Sequence, residues 1–430
     1  MRPAVLILSG LAIALSPRAS LAQAPPLSTD LQVNTYTGSI NFFPAVSSPG
    51  DGSFVVVWEN GAEDGSGAGI FGQRFDISGH AVGGEFPVNT YTTGGQFIPQ
   101  VGSDASGDFV VVWYGPGSSA AHFAALGQRF DAAGAKLGPE FVGGLYTTAN
   151  DEIPSIAVGP AGDFVVVWTD GSDPVPQQEV FGQRFDASGV KVGPRFHVNT
   201  YTTGEQDWPS VAMDRSGGFV VVWMSEGQDG YGAGVFGQRF DASGARLGTE
   251  FQVNTHTAGA QQFPRVAVDR RDNFVVVWRS LYQDGSESGV FGQRFDGSGE
   301  KVGPELQINT YTTGSQSAPA IAIGPRGDFV VVWESYQDGY GDGIFGQRFD
   351  RAGRRLGVEF QVNSHASGGQ YDPTIADDGR GFVVAWRSVG PEVGADIGII
   401  SRRQTFVPDG LTVDAHGNGG TSDLNGVMEP

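Results

Sequence analysis

Four loops of the chain carry an Asp-Gly pair inside a glycine-rich segment, at Asp64, Asp229, Asp284 and Asp338. Carboxylates set among glycines can wrap a calcium ion with the help of backbone carbonyls. No Asp-x-Asp-x-Asp run accompanies them, and glycine-rich turns favour Asp for local hydrogen bonding, so turn chemistry is the competing reading. The C-terminal segment adds Asp414, Asn418, Asp423, Asn425 and Glu429, oxygen ligands without EF-hand spacing. The six histidines (His80, His122, His197, His256, His365 and His416) are scattered, and no Gly-x-Ser-x-Gly, His-Glu-x-x-His or phosphate loop is present. Nucleophilic and hydrolytic-metal chemistry therefore lack a motif. Binding chemistry does not: arginines, tyrosines and asparagines recur at fixed spacing, as guanidinium, aromatic and amide groups suited to holding a ligand.

The recurrence comes from the chain's construction. The run Phe-Val-Val-Val-Trp ends at Trp58, Trp113, Trp168, Trp223, Trp278 and Trp333, and Phe-Val-Val-Ala-Trp ends at Trp386. The spacing is 55 residues, with a last step of 53, and Trp208 is the one tryptophan outside the series. Phe-Gly-Gln-Arg-Phe-Asp starts at Phe71, Phe181, Phe236, Phe291 and Phe345, with Leu126 opening the second copy. Motifs close to Val-Asn-Thr-Tyr-Thr-Thr-Gly start at Val33, Val88, Val198, Val253, Ile308 and Val362. An apolar alternation follows Pro44, Pro99, Pro154, Pro209, Pro264, Pro319 and Pro373.

Each unit thus predicts four short strands, a to d. Strand a begins at the proline. Strand b is the apolar run, continuous enough to be buried on both faces. Strand c carries Gly-Gln-Arg-Phe, and a turn such as Asp241-Ala-Ser-Gly244 leads into strand d. Seven four-strand units predict an all-β, seven-bladed β-propeller over residues 25–406, in which each blade is sandwiched between two others. A linear solenoid of the same units would need polar end caps. The chain opens on an isolated strand d, Leu31 to Asn34, and leaves the seventh unit near Gln404 without one, so the N-terminal strand is expected to close the ring.

Outside the repeat, Arg2, an apolar run from Ala4 to Leu15 and small residues at Ser20, Ala22 and Ala24 predict a signal peptide over residues 1–24, too short for a comfortable membrane span. Residues 407–430 are expected to form a flexible tail or the start of a further module. With 26 basic and 47 acidic residues the formal charge is −21, which repels phosphate backbones and argues against nucleic-acid partners. Cysteine is absent, which excludes disulfides and thiolate chemistry.

The Gly-Gln-Arg-Phe-Asp and Val-Asn-Thr-x-Thr-x-Gly-x-Gln motifs resemble repeats of large secreted bacterial proteins of uncharacterised function. The resemblance spans about residues 31–406 and implies compartment and architecture without catalytic residues. The Asp-x-x-Gly turns are similar to the Asp-box of sialidases but lack its leading Ser and spacing.

Within this frame the recurrent Arg74, Arg129, Arg184, Arg239, Arg294 and Arg348 are expected to pair between blades, and the strand b tryptophans to form core. Two functions from different classes remain. One is a non-enzymatic scaffold or binding module for an extracellular protein or glycan. The other is a multivalent lectin using Tyr36, Tyr91, Tyr201 and Tyr311 beside their asparagines, with a propeller glycosidase a weaker third. The internal copies diverge most on the face carrying the b–c and d–a connections of blades 2 to 4. There the loop from Tyr114 gains Phe123, the loop from Asp170 carries Asp173, and Trp208 lies in the neighbouring connection. These five residues are the candidate ligand site, with Asp64, Asp229, Asp284 and Asp338 as calcium candidates.

Overall fold

The computed structural model describes residues 30–117, 123–145, 153–171, 177–339, 341–365, 368–389, 397–404, 411–413 and 419–421. Regular structure among them is entirely β, so no described helix is long and apolar enough to cross a membrane. The leader expected over residues 1–24 lies outside the described residues.

Seven four-stranded antiparallel sheets follow one another, each in the order a-b-c-d. Blade 4 shows the pattern: strand a Gln206–Met213, b Phe219–Glu226, c Ala233–Phe240 and d Arg246–Gln252. Strands a of successive blades adjoin one another and so wall a central channel. Strand b comes next outward, and its alternation divides its side chains between two interfaces. In blade 4, Phe219, Val221 and Trp223 pack with Val165 and Val167 of blade 3. Val220 and Val222 turn the other way and pack with Phe274 and Trp278 of blade 5. All seven strand b tryptophans are essentially inaccessible. Each side chain buried this way contributes about 1.5–3 kcal/mol, which is why the run tolerates no polar position.

The ring closes as expected. Leu31 and Gln32 pair with Ser401 and Ile400 at the edge of blade 7. The Val33 amide donates to the Ile399 carbonyl (2.8 Å), and Asn34 Oδ1 accepts the Ile399 amide (2.8 Å). Val33 then joins the core cluster that unites blades 7 and 1.

Two polar bonds recur between successive blades. The strand c arginine reaches the c–d turn ahead of it: Arg129 donates to Ser188 O (2.5 Å) and Ala187 O (2.6 Å), and Arg74, Arg184, Arg239 and Arg294 act likewise. In blade 7 Arg403 completes the circuit on Ile77 O (2.6 Å). The recurrent arginines are therefore inter-blade fasteners. On the other bond, Thr255 donates through its amide and hydroxyl to Glu305 (2.8 Å each), and Thr35 does the same to Glu85 across the closure. The c–d turns are held as the sequence predicts. Asp241 Oδ1 accepts the Ser243 and Ala245 amides (2.8 and 2.9 Å), while Gly244 supplies φ 84°, a left-handed conformation costly for other residues.

Within residues 407–430, expected to be a flexible tail or the start of a further module, Leu411–Val413 pairs with Gly419–Thr421 as two antiparallel strands.

Candidate functional site

Proline cannot donate to a ladder, and strand a carries one in six blades, while in blade 3 Pro154 immediately precedes it. In six blades the register between strands a and b breaks at that point, for example between Asp207 and Ser210 in blade 4 and between Gln262 and Arg265 in blade 5. The residue before the proline is driven into the left-handed region: Phe43 (φ 46°), Ile98 (52°), Trp208 (55°), Phe263 (55°), Ala318 (47°) and Asp372 (54°). A non-glycine residue held there costs on the order of 1–3 kcal/mol. The same strain recurs around one mouth of the channel, and all six side chains, with Ile153 from blade 3, line a funnel of about 720 Å³. That volume lies within the range of about 300–1,000 Å³ common to small-ligand sites.

The funnel wall is divided. Its aromatic part is built by Trp208, edge-on to Phe263 at 4.4 Å between ring centres, and by Phe97, Phe43 and Tyr114. Phe123 stacks behind Tyr114 at 4.9 Å. Its charged part comes from the residue after each strand b tryptophan and from strand a itself: Glu59, Arg279, Glu334, Asp372 and Arg265. Glu59 accepts the amide of Ile98 in the next blade (3.3 Å), and Glu334 accepts that of Asp372 (2.7 Å) together with the Ser317 hydroxyl (3.1 Å). These carboxylates therefore steady the strained residues of their neighbours. Burial pushes both up to about 7, with Asp372 and Asp342 adding to the shift at Glu334. Asp207, buried beside Glu205, is pushed up to about 6 despite accepting the Trp208 amide (2.6 Å). Burial also raises Asp372, against the pull of Arg387 at 3.2 Å. Arg279 donates to Gln262 (2.7 Å) and lies over the Phe263 ring.

The opposite mouth is smaller, about 260 Å³, and aspartates lining it are spent on their own turns, as Asp104 is on the Ser106 and Asp108 amides (2.8 and 3.0 Å).

Of the five predicted ligand residues, the structure gathers Tyr114, Phe123 and Trp208 at the funnel. Trp208 stands in strand a rather than in the connection before it, because that strand starts at Gln206, ahead of the proline. Asp170 is corrected from a loop ligand to a buried end of strand b, where it pairs with Arg195 (2.9 Å). Asp173 lies outside the described residues. The calcium candidates belong to four different blades, and each closes its own surroundings. Asp64, Asp229 and Asp284 accept the amides of Ser66, Tyr231 and Ser286 (3.0, 3.0 and 3.1 Å), and Asp338 accepts Gln361 Nε2 (3.0 Å). No group of three or more carboxylate or imidazole ligands forms among the described residues. The repeated asparagines are equally committed: Asn309 donates to Tyr311 O (2.9 Å) and accepts the Val290 amide (2.9 Å). Residues missed from sequence were Glu59, Phe263, Arg265, Arg279, Glu334 and Asp372. Their signal was variation between copies at three positions, before the proline, after it and after the tryptophan.

No family model and no curated protein sequence matches the chain. Among solved structures it is similar to a protein of unknown function from Dyadobacter fermentans (12% identity, TM-score 0.53, covering 88% of this chain and 98% of that one). It is similar also to the polysaccharide lyase Uly1 (10%, 0.53, 88% and 100%) and to Raptor of Chaetomium thermophilum (9%, 0.50, 89% and 29%). The likeness is one of fold alone.

Proposed function

We propose that the protein is a secreted, non-enzymatic binding module that takes an extracellular glycan in the funnel over its central channel. The observation that carries this reading is convergence. Seven equivalent positions, six of them left-handed, turn into one cavity, and aromatic faces there stand beside carboxylates and guanidinium groups. Such a mixture suits the apolar faces and hydroxyl edges of sugars. A multivalent lectin is less well supported, since the asparagine amides beside the repeated tyrosines are spent on the backbone. One observation favours a second reading, a glycan-cleaving propeller: Glu59 and Glu334 hold protons near neutrality as a general acid would. Against it, both already cap strained amides of the next blade.

A glycan array on the intact chain, with and without calcium, tests the proposal. Binding is expected to be calcium-independent. Trp208→Ala and Tyr114→Ala should each weaken it by about 1 kcal/mol or more, while Tyr311→Ala changes little. Release of new reducing ends from the bound glycan would replace this reading with the enzymatic one.

A further inference from the structure

Arg265 occupies the position after the strand a proline, where the other blades carry Ala45, Gln100, Ser155, Ser210, Ala320 and Thr374. Its side chain lines the funnel, its one recorded bond is to its own neighbour's carbonyl, Pro264 O (3.1 Å), and no described carboxylate lies within ion-pair distance. Burial, with no opposing charge, pulls its pKa down. A half-buried guanidinium without a counter-charge is costly to keep, and four of its five N–H donors remain for something else. The other arginine lining the funnel, Arg279, is engaged by Gln262 and Phe263, and Arg387 pairs with the funnel's Asp372.

We infer that Arg265 anchors an anionic oxygen group, a carboxylate or sulfate ester, carried by the glycan that fills the funnel. The inference rests on the funnel being a glycan site. A planar guanidinium receives such groups through two parallel bonds, and the aromatic wall formed by Trp208, Phe263 and Tyr114 is left for the sugar faces. The chain's net charge of −21 opposes a polyanion at long range, so recognition is local, directed at one substituent inside the funnel. An acidic protein segment would bring the same carboxylate but meets the same repulsion without offering sugar faces to the rings.

Calorimetry on the intact chain separates the sources, using oligogalacturonate, sulfated carrageenan oligosaccharide, fully methyl-esterified oligogalacturonate and poly-glutamate as probes. At least one acidic saccharide is expected to bind, and Arg265→Gln to weaken it about tenfold or more. The esterified oligosaccharide should bind the parent at least about tenfold more weakly than its acid and be indifferent to the substitution. Arg265→Gln should also raise the melting temperature, because it removes a half-buried charge with no counter-charge; a merely structural arginine would lower it. Equal affinity for acid and ester, or an unchanged affinity in Arg265→Gln, overturns the inference. If Trp208→Ala then still abolishes binding, the glycan site stands and only its anionic ligand falls. Binding of poly-glutamate alone overturns both.

Discussion

Around the seams between blades, Arg74, Arg129, Arg184, Arg239 and Arg294 each reach a carbonyl of the next c–d turn, and Thr35, Thr200, Thr255 and Thr310 each reach a glutamate of the next strand d. Around the funnel, equivalent positions carry Phe43, Ile98, Trp208, Ala318 and Asp372. Seams and funnel belong to the same repeat and share its backbone. A seam has one task in every blade, to satisfy the same carbonyls and cover the same core, and the same side chain solves it in blade after blade. The funnel is shared by all blades, so each contributes a different part of a single surface. Where a seam turn needs a left-handed residue it uses glycine, as at Gly189 and Gly244, whereas the funnel places non-glycine residues in that region. Uniformity marks what keeps the ring closed, and diversity with strain marks what the ring is for.

The seam account breaks most visibly at the closure. Deleting residues 30–35 removes the strand pairing, the buried Val33 and the Thr35–Glu85 bonds, and should cost about 4 kcal/mol or more in urea unfolding. The exposed edge should also produce association on size exclusion. A truncated chain that unfolds like its parent and stays monomeric would break the comparison at its strongest point. Single fasteners should matter less and equally: Arg129→Ala and Arg184→Ala should each cost about 2 kcal/mol in the same assay. Unequal costs would contradict the equivalence of the seams that their shared geometry implies.

Blade 1 holds an exception to seam uniformity. In blades 4 and 5 Gln228 and Gln283 donate to Glu250 (2.5 Å) and Glu305, but Glu63 stands in that position opposite Glu85. Two carboxylates bond only by sharing a proton, and burial, reinforced by Glu85, pushes Glu63 up to about 7. A carboxyl whose folded pKa is raised gives stability present below its unfolded value and lost as pH rises through the folded one. Stability should therefore fall between about pH 4.5 and pH 7, with Glu59 and Glu334 contributing to the same window. Glu63→Gln should match its parent at pH 4 and exceed it at pH 8 by about 1 kcal/mol, after allowing for solvent screening at this half-exposed site. The smallest effect concerns strain. Ala318→Gly should stabilise the chain by about 0.5–1 kcal/mol, since glycine occupies φ 47° freely, and calorimetric melting would show it.

The ring was legible in the sequence because seven tryptophans at one spacing, with a strand d at the wrong end of the chain, leave little room for another closure. The funnel was legible only where a copy departed loudly from its siblings, at Tyr114 and Trp208. Asp170 misled because a carboxylate beside a proline-containing loop reads as exposed, whereas Arg195 holds it at the buried end of strand b. Arg265 and Glu334 stayed hidden for a different reason. In six blades a bulge at the strand a proline shifts the two-residue alternation, so the pattern alone does not show which side chains turn into the channel.

The central claim, one shared site in place of seven repeated ones, is tested most directly by the calorimetric stoichiometry of the tightest glycan from the array. The account predicts one molecule per chain, lost in Trp208→Ala and unchanged in Tyr311→Ala. Several equivalent sites per chain that survive Trp208→Ala would contradict it.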